Sequence, residues 1–210
     1  MKKKFLLIDD HAIVRLAVKM MLQENYANTV IHESWSAPQA MALLEASPYD
    51  LVIMDLLMPQ TDSTSLVEQI LHHYPGTRIL VFTMMAESIF ATRYFQLGIK
   101  GFLNKDCEEK EILAAVDLIL SDKKYLSPQL NNALIESTFN TRSENPFEDL
   151  SAREREVVRL LLKGKSPQQI KQVLNIEHST VGTYKIRIFE KMKVTNIVDL
   201  LDIARLYRFS

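Results

Sequence analysis

The chain has 210 residues, enough for one or two domains, and 47% hydrophobic with 24% charged residues excludes a disordered or fibrous protein. A single cysteine, Cys107, excludes an internal disulfide framework and points to a reducing cytoplasm, and no apolar stretch reaches the length of a membrane span. The net charge of −1 hides an asymmetry: residues 1–149 carry 13 Lys and Arg against 20 Asp and Glu, whereas residues 150–210 carry 12 against 6, which predicts a nucleic-acid partner at the C-terminal end only.

In chain order, Lys4 to Ile8 reads as a buried strand closed by Asp9-Asp10-His11. The two carboxylates cut its apolar run too short for a secretion signal. Ala12 to Leu22 has helical spacing through Ile13, Val14, Leu16, Ala17, Met20 and Met21. Thr29 to Ile31 is a weak strand, and Pro38 to Leu44 a helix with Ala37, Ala40, Met41 and Leu44 on one side. Leu51 to Met54 is a strand apolar on both faces, ending on Asp55 with Pro59 turning the chain. Ser65 to His73 is helical, Arg78 to Thr83 a strand, and Ile89 to Leu97 a helix stopped by Gly98. Gly101 to Leu103 is a short strand, and Glu109 to Leu120 a fifth helix. Five strands alternating with five helices predict an α/β doubly wound, five-stranded parallel sheet.

Tyr125 to Thr138 reads as another helix, and the polar, aperiodic Phe139 to Asp149 as a linker. Beyond it every apolar spacing is helical, giving an all-α four-helix unit. The domains expected are 1–121, a connecting helix and linker at 122–149, and 150–210. Ser151 to Glu154 and Ser166 to Gln169 are capping boxes, and Pro167 suits a first helical turn. Val157, Val158 and Leu160 to Leu162 make one apolar face; Ile170, Val173 and Leu174 are expected inward on the next. In Thr180 to Met192, Val181, Tyr184, Ile188 and Met192 form the core face. Gly182, Thr183, Ile186 and Arg187 lie opposite, with Lys185 and Lys191 flanking. Two short helices joined by a tight turn, the second basic, form a helix-turn-helix.

In an open parallel sheet the carboxyl ends of the strands line the binding crevice. Asp9-Asp10, Asp55, Thr83 and Lys105 all fall at such ends. Two carboxylates 4 Å apart repel by about 4 kcal/mol at an effective dielectric of 20. A cluster of three therefore needs Lys105 and a hard divalent cation, and oxygen ligands suit Mg²⁺. A flavin site would want a Ser/Thr/Gly-rich loop after the first strand, and an aspartyl phosphatase a second Asp where Leu57 stands.

Over Lys4 to Ser121 the chain resembles the receiver domain of two-component response regulators, on Asp9-Asp10, Asp55, Met58-Pro59, Thr83 and Gly101-Phe102-Leu103-Asn104-Lys105. The resemblance implies that Asp55 accepts a phosphoryl group from a sensor histidine kinase. It implies Mg²⁺ held by Asp9, Asp10, Asp55 and the Leu57 main-chain carbonyl. Thr83 and Lys105 would then bind the phosphoryl oxygens, with Phe102 as the switch aromatic. Over Leu150 to Phe209 the chain resembles the LuxR-type DNA-binding domain, and the two together resemble the NarL class. That implies a homodimer on double-stranded promoter DNA, with Gly182, Thr183, Lys185, Ile186, Arg187 and Lys191 on the DNA face. The final helix, Ile197 to Tyr207, is expected to expose Leu200, Leu201 and Ala204 after a polar turn, and the resemblance implies that it helps form the DNA-bound dimer; packing on the unit's own core is the alternative for each residue. Departures from pattern are Asp62-Ser63 for Asp-Gly, Lys171 for a small residue and Glu177 for a Ser/Thr cap. Met84 and Met85 are expected to shield the acyl phosphate. The competing reading is a constitutive, phosphorylation-independent dimer with a degenerate receiver.

Overall fold

The computed structural model describes residues 2–128, 130–131 and 145–209. The chain divides into two compact units, Met1–Ala133 and Leu134–Ser210. In the first, β1 (Lys3–Ile8), β2 (Thr29–Ser34), β3 (Leu51–Met54), β4 (Arg78–Thr83) and β5 (Gly101–Asn104) form one parallel sheet in the order β2-β1-β3-β4-β5. Between and after them run α1 (Ala12–Asn25), α2 (Ala37–Ala46), α3 (Ser63–His73), α4 (Glu87–Leu97) and α5 (Glu109–Leu120). This is the doubly wound sheet the alternation predicts.

The strand period of two divides the core between the two faces. Phe5, Leu7, Leu51, Ile53, Leu80, Phe82 and Leu103 pack with Val18 and Leu22 of α1 and Ile112, Val116 and Ile119 of α5. The alternate residues Leu6, Ile8, Val52, Met54, Ile79, Val81 and Phe102 are equally buried and face the other way. Gly98 ends α4 at φ 117°, the left-handed position that a side chain rarely adopts.

Expectation and structure part company on α1. Ile13, Leu16 and Met20 are exposed, and the buried residues are Val18 and Leu22. The apolar residues of α1 form two stripes, and the spacing alone does not say which one meets the sheet. The helix expected from Tyr125 starts three residues later. Tyr125 instead makes a parallel bridge to Gly101, and residues 128, 130 and 131 are helical. The rest of that expected helix, and the linker up to residue 144, lie outside the described residues.

In the second unit, Pro146–Asp149 form a 3-10 helix rather than the end of an aperiodic linker. Phe147, 1% exposed, stacks on Phe209 at 4.0 Å between ring centroids. Then follow α6 (Ala152–Leu162), α7 (Pro167–Leu174), α8 (His178–Met192) and α9 (Ile197–Leu206). Both predicted capping boxes form. Val157, Val158, Ile170, Val181, Ile188 and Met192 are buried, but Val173 is exposed and Tyr184 only half-buried, against expectation. Leu200 and Ala204, expected exposed, are buried with Ile203 and Leu206, and Leu201 is half-buried. A unit this small needs the apolar face of its last helix for its own core. Val198 is the large exposed apolar residue of that helix.

Candidate functional site

The carboxyl edge of the sheet collects the acidic residues because β1 and β3 are neighbours in register, Ile8 beside Met54. The next residue on each strand is Asp9 and Asp55, buried at 4% and 2% exposure. Oxygens of Asp9, Asp10 and Asp55 and a ring nitrogen of His11 lie within 4.8 Å of one another. Lys105 arrives from beyond β5, its amide bonded to the Thr83 carbonyl at 2.9 Å. Its Nζ lies 2.7 Å from Asp9 Oδ2 and 2.7 Å from Asp55 Oδ2. Burial alone would lower the Lys105 pKa, but the two carboxylates outweigh it and hold the ammonium above its ordinary value.

The backbone holds the rest of the crevice. The Leu57 amide donates to Asp55 Oδ1 at 3.0 Å, which fixes one carboxylate oxygen and the loop carrying the Leu57 carbonyl. Arg15 Nη1 donates to the Asp9 carbonyl at 2.6 Å. Asp10 Oδ1 is buried and has no hydrogen-bond partner, although His11 Nδ1 is 3.0 Å away. A buried oxygen left in this state is destabilising. The set of hard oxygens with one unsatisfied fits a divalent cation such as Mg²⁺. His11 is the neighbour that sequence reasoning gave no role, and its adjacency to Asp9-Asp10 was the signal available.

Thr83 is fully buried, and its hydroxyl accepts from the Met85 amide at 3.4 Å. Asn104 Nδ2 donates to the Met85 carbonyl at 3.4 Å. Met84 is half exposed. Phe102 is fully buried, its ring 6.3 Å from that of Tyr94 on α4. The Asp62-Ser63 departure builds an ordered loop. Asp62 caps α3 by accepting the Ser65 amide at 3.1 Å, and Ser63 Oγ donates to the Leu56 carbonyl at 2.6 Å. The left-handed turn position falls on Gln60 at φ 55°.

On α8, Gly182, Thr183, Lys185, Ile186 and Arg187 are exposed, Ile186 at 62%. An open hollow of about 290 Å³ is lined by Ser179, Thr180, Thr183, Tyr184 and Arg187. The Thr183 hydroxyl donates to the Ser179 carbonyl at 3.1 Å, so its methyl is the group left over. Lys185 Nζ sits 5.2 Å from the Phe189 ring centroid. Lys191, expected as a phosphate contact flanking the DNA face, is engaged within its own unit. Its Nζ lies 2.7 Å from Glu154, whose side chain is buried, and donates to the Asp149 carbonyl at 3.3 Å. Burial would raise the Glu154 carboxyl, but Lys191 and the Ser151 donors outweigh it and hold it below its ordinary value. The two departures on the helix-turn-helix meet each other: Lys171 Nζ and Glu177 Oε2 are 3.3 Å apart across the turn.

A doubly wound sheet that delivers three carboxylates and a lysine to one crevice, joined to a helix-turn-helix unit, defines a regulator with a receiver fold and a DNA-binding type of output. Residues 5–117 match the response regulator receiver domain, and residues 148–204 the luxR family of bacterial regulatory proteins. Response regulator GacA of Pseudomonas protegens is 30% identical over 96% of this chain and 94% of its own length. Fimbriae Z protein of Salmonella typhimurium is 31% identical over 95% of each. In fold the chain is similar to RcsB from Salmonella enterica serovar Typhimurium bound to a promoter with phosphomimetic BeF₃⁻, at TM-score 0.78 and 24% identity over 98% of this chain and 99% of that one. The chain belongs to the response regulators of the NarL/LuxR class, which are phosphorylation-controlled, DNA-binding transcription regulators rather than metabolic enzymes. Among the described residues, no helix is long and apolar enough to cross a membrane.

Proposed function

We propose that Asp55 is the phospho-acceptor of a cytoplasmic regulator comprising a receiver (1–121), a connecting segment (122–149) and an output domain (150–210). The observation that carries the reading is Lys105 Nζ at 2.7 Å from both Asp9 and Asp55 in a crevice where Asp10 Oδ1 makes no hydrogen bond. A carboxylate oxygen of Asp55, through a lone pair that neither the Leu57 amide nor Lys105 occupies, attacks the phosphorus of a kinase phosphohistidine. The P–N bond breaks, and the imidazole, protonated on its other nitrogen, leaves neutral. Lys105 pairs with a phosphoryl oxygen, and the Thr83 hydroxyl turns from the Met85 amide to donate to another. Asp9, Asp10, Asp55 and the Leu57 carbonyl would hold Mg²⁺, which supplies charge neutralisation for the incoming oxygens. The vacated space lets Phe102 reorient beside α4. The only reactions the receiver catalyses are its own phosphorylation and dephosphorylation.

The output domain binds double-stranded promoter DNA as a homodimer. Thr183 and Ile186 offer methyl groups to thymine, while Lys185 and Arg187 meet phosphates. Lys191, committed to Glu154, acts by anchoring α8 rather than as a free cation.

Incubation with a small acyl-phosphate donor and Mg²⁺, followed by intact mass and oligomeric state, tests this on the native chain and on Asp55→Ala. One phosphoryl adduct on the native chain alone, with dimerisation, is expected. Steady phosphate release without an adduct would indicate an enzyme. A dimer that forms with no adduct would indicate the constitutive regulator.

A further inference from the structure

The segment that leaves α5 is tied to the receiver at two places. Its first anchor is Tyr125, whose amide donates to the Lys100 carbonyl at 2.8 Å. The residue bridges Gly101 on β5, the edge strand, and its side chain joins the core beside Ile119. A Cβ on Gly101 would lie 2.9 Å from the Ile119 and Leu80 methyls, so the bare glycine makes room for those core side chains, and Tyr125 Cβ would stand at ordinary contact distance, 3.5 Å. The second anchor is Ser127. Its hydroxyl donates to Glu87 Oε2 at 2.6 Å while accepting the Leu130 amide at 3.1 Å. The Asn131 amide donates to the Ser127 carbonyl at 2.9 Å, and Leu130 is 3% exposed. The start of the post-receiver helix is therefore held on the first residue of α4.

Glu87 lies four residues beyond Thr83 on the same connection. Between them, the Met85 amide donates to the Thr83 hydroxyl, and the Met85 carbonyl accepts from Asn104. Any turn of the Thr83 hydroxyl toward Asp55 withdraws the acceptor of the Met85 amide, two residues from Glu87. The Glu87 contact is itself poised. Oε1 is buried without a hydrogen-bond partner, so a single oxygen carries the satisfaction of a half-buried carboxylate. Burial pushes this carboxyl up, opposed by the Ser127 hydrogen bond. Tyr125, by contrast, is fixed by the core and by a strand-edge bond that does not pass through α4.

We propose that the Glu87–Ser127 hydrogen bond is a latch that holds the residues leading to the output domain on α4 until Thr83 moves, and that phosphorylation opens it. The latch rests on Asp55 being the phospho-acceptor. Glu87 and Ser127 are positioning residues: they touch neither the phosphoryl group nor DNA.

Amide hydrogen exchange on the full chain tests the latch, with and without a small acyl-phosphate donor and Mg²⁺, and with intact mass read on the same samples. The Leu130 and Asn131 amides report on it, and the Tyr125 amide is the internal control. A charge-assisted hydrogen bond predicts about tenfold or more faster exchange at the two reporters once it is lost. Ser127→Asp keeps an N-cap acceptor but sets a like charge against Glu87, so it opens the latch while preserving the cap. Glu87→Ala opens it from the other side. Both variants are expected to exchange at the reporters, without donor, as fast as the phosphorylated native chain, with Tyr125 still protected. In both, phosphorylation adds no further increase. An adduct that forms while the native reporters stay protected overturns the latch and leaves the phospho-acceptor standing. Variants that exchange as slowly as the native chain also overturn it. If no adduct forms, the phospho-acceptor reading falls and takes the trigger with it.

Discussion

Lys191→Met separates an anchoring lysine from a phosphate-binding one. Glu154 accepts the Ser151 amide at 2.7 Å and Lys191 Nζ at 2.7 Å, and its side chain is 5% exposed. Removing one partner of a fully buried ion pair costs about 3–5 kcal/mol. Lys191 is 41% exposed, so water reaches the remaining carboxylate once the ammonium is gone, and Ser151 still donates. The expected loss is therefore about 1–2 kcal/mol, a fall of roughly 5–10 °C in the melting of a unit this size. The sign with pH follows from the depressed Glu154 carboxyl. Its contribution is complete above the ordinary value of 4.5 and lost as pH falls through the lower folded value. Without Lys191, stability declines from higher pH. Calorimetry from pH 7 down to pH 3 measures both effects. At a temperature where both proteins are folded, the slope of log binding constant against log salt is expected to be unchanged. A slope shallower by about 0.9 with normal stability would make Lys191 a phosphate contact and refute this reasoning.

Gly182→Ala is expected to raise the stability of the output unit by about 1 kcal/mol, because glycine weakens a helix interior and a Cβ there meets nothing within 4 Å. Promoter affinity should fall at the same time, since a close partner is then the remaining reason for glycine; unchanged affinity in a gel-shift titration would remove Gly182 from the interface. Mg²⁺ is expected to raise the melting temperature of the native chain and to lose that effect in Asp10→Asn, which supplies a weaker oxygen ligand at the unsatisfied position. An equal shift in both proteins would place the ion elsewhere.

The sheet was legible because four of its strands are short apolar runs closed by a turn signal, whereas β2, Thr-Val-Ile-His-Glu-Ser, shows only as a weak stretch that stops at Ile31; the capping boxes were legible because their chemistry is local. Ser151 with Glu154 needs no tertiary information, and the observed bonds match the expected pairing. What escaped depended on which of two faces is covered. Ile13, Leu16 and Met20 have the spacing of a core stripe and lie in solvent, while Leu200 and Ala204 have the spacing of an interface and lie in the core. Lys191 reads as a basic surface residue until Glu154 is brought beneath it from 37 positions away. Likewise the Lys171 and Glu177 departures looked independent in sequence, and across the turn they neutralise each other.

The acidic crevice holds three carboxylates, Asp9, Asp10 and Asp55. A structural role would require the carboxylates to be satisfied by the chain. Asp9 and Asp55 come close to that, through Lys105 and through the His11 and Leu57 amides. Asp10 falls short, since its buried Oδ1 makes no hydrogen bond and has only His11 Nδ1 beside it at 3.0 Å. Three carboxylates against one firmly held ammonium leave an excess of negative charge, and at about 4 kcal/mol per close pair no gain in fold stability offsets it. Replacing Asp10 by a neutral residue should therefore stabilise the unliganded receiver, and the presence of that carboxylate makes sense only for an occupant that brings positive charge to the crevice.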